Sequence, residues 1–153
     1  MTNTRITDPE IFERRYPVLL RCFSLRKGSG GKGEKKGGEG VIRDIEFLSP
    51  LSVGILSERR SFQPPGCSGG FPALRGMNLL LRRPSRSLDV DVPDSTFSGC
   101  DTDRVTVDPL CDADGLQIVN LGPKNSFTVL RGDRIRICTP GGGGFGSPLP
   151  PSF

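Results

Sequence analysis

The chain has 153 residues, 34% of them apolar, with no tryptophan but 21 glycines and 14 prolines, a composition that predicts a loop-rich β structure around a modest core. It contains no histidine, so this chain alone cannot assemble a Ser-His-Asp or Cys-His catalytic arrangement or a His-ligated zinc site. The net charge of +4 argues only weakly for nucleic acid, because residues 1–60 hold 12 Lys/Arg against 8 Asp/Glu and the remainder 9 against 9.

Five cysteines, Cys22, Cys67, Cys100, Cys111 and Cys138, are odd in number and never spaced as CxxC, which fits a reducing compartment. No apolar run approaches the roughly 18 residues of a membrane span. The opening MTNTRITDPE lacks the apolar core of a secretory signal. The expectation is a cytoplasmic chain with neither nucleic acid nor membrane as partner.

In chain order, Asn3, Thr4 and Arg5 open as polar groups of an extended segment. Asp8 and Pro9 then predict a helix start, Asp8 as acceptor for free first-turn amides and Pro9 at the first helical position. Pro17 ends the helix by disfavouring helical geometry at Tyr16. Ile11, Phe12 and Arg15 give it an apolar and a basic edge. Val18–Arg26 reads as a strand with Leu19, Phe23 and Leu25 on one face beside Arg21, Leu20 and Cys22 on the other, and both faces partly covered. The glycine-rich KGSGGKGEKKGGEG of residues 27–40 lets this strand reverse and pair with the next. In residues 41–48, Val41, Ile45 and Phe47 alternate with Ile42, Asp44 and Glu46 as a half-buried strand, and after a Ser49-Pro50 turn Leu51–Leu56 forms a third.

Glu58, Arg59 and Arg60 read either as an anion clamp or as a surface ion-pair cluster. Residues 62–76 are irregular, and residues 77–83 resume as a strand with Leu79 and Leu81 on one side. Residues 84–116 hold eight aspartates and read as an acidic insertion, with short strands at 88–92 and 104–107. Asp112 and Asp114 match only part of a calcium loop, without its closing glutamate. Strand pattern returns at Phe127 and Val129 and at residues 134–137, with Ile135 and Ile137 inward and Arg131-Gly132-Asp133 as the intervening turn. Gly141, Gly142, Gly143 and Gly144 are costly to order unless the backbone passes close to something.

Two GxGxxG spacings occur, at Gly28, Gly30 and Gly33 and at Gly141, Gly143 and Gly146. A dinucleotide site needs a helix immediately afterwards to hold the pyrophosphate on its N-terminal amides. The first spacing runs into charged glycine-rich text and a strand, the second into Ser147-Pro148, so neither predicts a nucleotide site in this chain.

Four segments together, MTNTRITDPEIFERRYPVLL, GSGGKGEKKGGEGVIRDIEFLSPLSVGILSERRSFQPPG, GGFPALRGMNLLLR and NLGPKNSFTVLRGDRIRICTPGGGGFGSP, resemble the C-terminal portion of the hydantoinase B/oxoprolinase family, on its 5-oxoprolinase side. Residues 84–116 lie outside the resemblance, and Phe71, Leu74 and Pro123 depart from the family's usual text. The resemblance implies a hydrolase that opens 5-oxoproline to glutamate in the glutathione cycle. It implies ATP and a divalent metal for the full-length family enzyme, none bound by this chain, because the metal ligands lie upstream of anything matched. The implied partner is the remainder of an oxoprolinase chain or an A-type protein, and homo-oligomers of the full-length family fit equally.

The expected fold is mainly β, α+β at most, with antiparallel hairpins, glycine-rich turns and one short N-terminal helix. Residues 1–153 are read as a partial domain, the C-terminal part of a hydantoinase B/oxoprolinase domain, with residues 140–153 as a Gly/Pro-rich tail. Catalytic residues and metal ligands are expected elsewhere. This chain offers pocket contacts from Asn3, Thr4 and Arg5, anion contacts from Arg59 and Arg60, and close backbone approach at Gly141 to Gly144; each of these groups also has a purely structural reading. A second reading is a non-catalytic module pairing its strand edges with an A-type partner.

Overall fold

A computed structural model describes residues 6–82 and 116–147. Among these residues one helix, α1 (Pro9–Arg15), precedes seven strands: β1 (Val18–Arg26), β2 (Gly40–Phe47), β3 (Leu51–Leu56), β4 (Met77–Arg82), β5 (Gln117–Asn120), β6 (Lys124–Val129) and β7 (Arg134–Cys138). The Asp8 carboxylate accepts from the Glu10 amide at 3.0 Å, Pro9 occupies the first turn, and Tyr16 turns extended before Pro17. The helix therefore starts and stops where its sequence places the boundaries.

β1, β2, β7, β4 and β5 form a five-stranded antiparallel sheet in that order, while β3 pairs with β6 in a separate two-stranded ribbon. Only β1–β2 and β4–β5 join strands consecutive in the chain. The ribbon packs Leu51, Val53, Ile55, Phe127 and Val129 against the sheet face that presents Val18, Ile45, Phe47, Leu80 and Ile135, and Phe12 of α1 closes the same core. Ile11, expected with Phe12 on the apolar edge, is instead half exposed.

Three further expectations are corrected by the register. Leu20 faces Ile45 and Cys22 faces Asp44, leaving Arg21 as an extra residue; this bulge flips the parity of the strand, so Leu19 and Phe23 lie on opposite faces rather than together. From the bulge on, residues 21–25 are all exposed, because β1 is the edge strand of the sheet and no described element pairs with its outer side. β2 and β4 are interior strands, so Asp44 and residues 78–81 are buried on both faces instead of one. β5 has no counterpart in the sequence reading: four residues, all exposed, give no alternation to detect. The 88–92 and 104–107 strands lie outside the described residues.

At one end of the sheet, three glycine-bearing runs lace together. Gly31 donates to the Gly142 carbonyl at 2.9 Å and Gly142 to Gly38 at 2.9 Å, joining the first run to the last. Phe71 donates to Lys32 at 2.7 Å, Gly144 to Phe71 at 3.0 Å and Cys67 to Gly144 at 2.8 Å, so the middle run bonds to both. The backbones lie so close that a Cβ at Gly31 would meet the Phe71 carbonyl oxygen, one at Gly37 that of Gly142, and one at Gly143 that of Pro65. The 27–40 connection is thus a component of a three-run braid as well as a reversal between β1 and β2.

A buried polar latch closes the first run. Ser29 is fully buried; its hydroxyl accepts from the Gly40 amide at 2.7 Å and lies 2.6 Å from the Arg26 carbonyl, to which it donates. The Glu39 carboxylate accepts from the Ser29 amide at 2.9 Å and pairs with Lys36, and Lys36 above all holds its pKa down to about 2 from the ordinary 4.5.

Two outcomes follow. Gly143→Ala should lower stability by about 1–3 kcal/mol in urea unfolding, because the only relief is a backbone shift, whereas Gly38→Ala, whose Cβ would meet nothing within 4 Å, should be neutral or slightly stabilising. Equal effects of the two would contradict the braid. A carboxylate whose folded pKa is depressed stabilises fully above its unfolded value and loses that contribution as pH falls through the folded one. The contribution of Glu39 should therefore fade between about pH 4.5 and 2, more weakly at high salt, and the acid limb of stability against pH should be shallower in Glu39→Gln.

Candidate functional site

Of the pocket contacts singled out from sequence, Arg59, Arg60 and Gly141 to Gly144 lie among the described residues. Asn3, Thr4 and Arg5 lie outside the described residues, as do Asp112 and Asp114. Arg59 is exposed, in a left-handed conformation with φ 58°. Arg60 turns inward: its Nε and an Nη donate to the Asn78 Oδ1 at 3.3 and 3.0 Å, and its other Nη donates to the Glu58 carbonyl at 2.6 Å. Burial lowers its pKa from the usual guanidinium value. Gly141, Gly143 and Gly144 sit inside the braid against Ser29, Pro65 and Lys32, and Gly142 is exposed on its outer side.

Sequence reasoning missed three polar centres. Asn78, 1% exposed, fills its hydrogen-bonding capacity: its amide donates to Ser57 Oγ and the Gly122 carbonyl, both at 2.8 Å, while its oxygen accepts from Arg60. It thereby ties β4 to the end of β3 and to the β5–β6 turn. Asp133, 4% exposed, accepts from Arg82 at 2.8 Å and from the Leu130 amide at 2.9 Å, across a turn in which Gly132 takes φ 89°. Asp133 of the Arg-Gly-Asp string therefore faces inward. On the opposite face of the sheet, Asp44 of β2, 1% exposed, receives Arg134 at 2.7 Å and Arg136 at 3.0 Å from β7. The available signal was an acid, Asp44, between Arg43 and Ile45 in the middle of a predicted strand, together with two arginines two residues apart; cross-strand register joins Asp44 to them.

No three His, Cys, Asp or Glu side chains converge among the described residues, and the buried carboxylates of Asp44 and Asp133 are committed to arginines. The Gly28-Gly30-Gly33 spacing leads into the braid, where the Gly31 and Gly37 amides are already used by carbonyls, and no helix follows. Cys138 is buried, and its desolvation raises the thiol pKa, against the lowering effect of Arg26, Arg136 and Arg60. Among the described residues, these polar centres tie the sheet and the turns to one another. No helix among the described residues is long and apolar enough to cross a membrane.

Around this framework, comparison with known proteins gives a consistent result. Residues 1–148 match the family model for hydantoinase B/oxoprolinase. The chain is 46% identical to a 5-oxoprolinase of Dictyostelium discoideum over 146 residues, 95% of this chain but 9% of that protein. It is 46% identical to 5-oxoprolinase 1 of Arabidopsis thaliana over 147 residues, again 96% of this chain and 9% of its relative. The chain thus spans about a tenth of the length of these relatives. Its fold also matches the crystal structure of the ATP-dependent caprolactamase from Pseudomonas jessenii, with a TM-score of 0.59 at 22% identity, over 92% of this chain and 20% of that one. With the family's sequence pattern and a matching fold running through nearly its whole length, the chain belongs to the hydantoinase B/oxoprolinase family.

Proposed function

We propose that the chain is the C-terminal body of a 5-oxoprolinase-type hydrolase, supporting the ATP-driven opening of 5-oxoproline to glutamate by reactive groups on the rest of the protein. Opening a lactam requires an activated carbonyl, a base or metal-bound nucleophile, and a pocket closed to water. The described residues supply rigid backbone and packing surface for such a pocket, with ATP and the divalent metal held elsewhere. The partner is the remainder of an oxoprolinase polypeptide or an A-type subunit, and the setting is cytoplasmic glutathione metabolism.

One observation supports this reading above others: large apolar side chains stand in solvent on backbone that is otherwise tightly fixed. Phe71, Leu74 and Phe145 on the braid are 53%, 46% and 51% exposed, and Phe23 and Leu25 on the edge strand are 49% and 63% exposed. Covering a side chain of this size is worth about 1.5–3 kcal/mol, and apolar groups clustered on a surface mark contacts with another body.

The test supplies the chain in trans to a 5-oxoprolinase polypeptide lacking the corresponding segment and follows ATP-dependent glutamate formation. The chain alone should give no turnover, the mixture should, and Phe71→Ser or Phe145→Ser should each weaken association roughly 10- to 100-fold. Turnover by the chain alone, or no association between the two parts, would overturn the proposal.

A further inference from the structure

Arg43 stands in the middle of β2. Its guanidinium carbon lies 4.9 Å from the centre of the Phe12 ring of α1. On the sheet its cross-strand neighbours are Phe23 of β1 and Ile137 of β7. It is therefore framed by apolar groups on three sides. Its Nε is buried and has no hydrogen-bond partner.

Among the described residues, the acids nearest to it along β2 and on the helix above are engaged elsewhere. Asp44 and Glu46, one and three residues further along β2, both lie on the opposite face, Asp44 with Arg134 and Arg136 and Glu46 with Arg21 at 2.6 Å. Glu13, on the helix above, accepts from the Leu20 amide at 2.7 Å. A buried donor left unmade costs about 1–3 kcal/mol, and the cation–π contact with Phe12 recovers only part of that. A guanidinium is a planar fork matched to a carboxylate, and an apolar frame strengthens that pair. A single arginine, without a glycine nest or a second cation beside it, lacks the converging donors of a phosphate site.

We propose that Arg43, framed by Phe12, Phe23 and Ile137, is the receptor for a carboxylate. The carboxylate belongs either to a small organic acid or to an Asp or Glu side chain of a body docked on this face. The site is independent of the proposed function: it requires a carboxylate, not a hydrolase.

The experiment reads the Arg43 Nε–H directly, as the nitrogen–proton resonance lost from the ¹⁵N-labelled 153-residue chain in Arg43→Lys. Titration with acetate and with 5-oxoproline should move it saturably while the paired Arg21 and Arg82 resonances stay, and sodium chloride at equal strength should leave it in place. Arg43→Lys keeps the stem and charge but loses the fork; followed on the backbone amide resonances of Phe12, Phe23 and Ile137, which should shift with acetate in the unsubstituted chain, it should weaken binding about tenfold or more with an unchanged melting temperature. In a second arm the chain is mixed with the truncated 5-oxoprolinase polypeptide. A resonance indifferent to small acids that moves on assembly, with assembly weakened about tenfold in Arg43→Gln, assigns the carboxylate to a side chain of that partner. An Arg43 resonance that moves in neither arm, or that chloride moves as far as acetate does, would overturn the proposal.

Discussion

The structure depends on backbone packed directly on backbone. Residues 29–40, 65–74 and 139–146 approach so closely that a side chain at any of several glycines would occupy the space of a neighbouring carbonyl. Ordering glycine is expensive, about 0.5–1 kcal/mol more per residue than alanine, and this chain orders many of them at one place. The compensation is a set of short hydrogen bonds between runs that are far apart in sequence, with Gly31 bonded to Gly142 and Cys67 to Gly144. The braid also reaches into the sheet: the Thr139 hydroxyl accepts from the Val41 amide at 2.7 Å, and the Thr139 amide donates to the Val41 carbonyl at 2.8 Å. The register of β2 against β7 is therefore fixed from the glycine end.

That register in turn decides where charge is buried. With Asp44 opposite Arg136, the carboxylate lies within reach of both Arg134 and Arg136. A slip of one residue would turn Asp44 into the apolar core and the arginines away from it. Buried ion pairs contribute little net stability, but the wrong pairing is heavily penalised, so these charges select one register among several that hydrophobic contact alone would accept. Arg82 with Asp133 performs the same selection where β4 meets the turn before β7.

This division explains what could be read from the sequence. The capped helix, β1 to β4 and the turn before β7 follow from local rules, because Asp8, Pro9, Pro17 and Gly132 act on their immediate neighbours. Pairing of β3 with β6, and insertion of β7 between β2 and β4, depend on contacts between distant residues that no periodicity encodes. The bulge at Arg21 was equally invisible, since one extra residue leaves composition unchanged while reversing every later side chain of the strand. The family resemblance rested on strings such as SPLSVGILSERR and TPGGGGFG; Arg60 of the first is now seen beside Asn78, and the glycines of the second in the braid. Arg59 and Arg60 looked alike as adjacent cations, but only a three-dimensional partner, Asn78, separates the exposed one from the engaged one.

Arg43 and the exposed phenylalanines raise the same physical question from opposite sides. An apolar side chain held in water and a guanidinium nitrogen held away from it are each poorly solvated, and a chain stabilised by only a few kcal/mol does not keep such groups without cause. Phe23 of the edge strand and Arg43 of β2 are cross-strand neighbours, so one pair holds both defects. A body placed there that brought an apolar surface and a carboxylate together would relieve both at once, which a water layer cannot do. The rigidity of the braid and the fixed register of β2 hold these groups at set positions before anything binds, so little ordering entropy remains to be lost when a partner arrives.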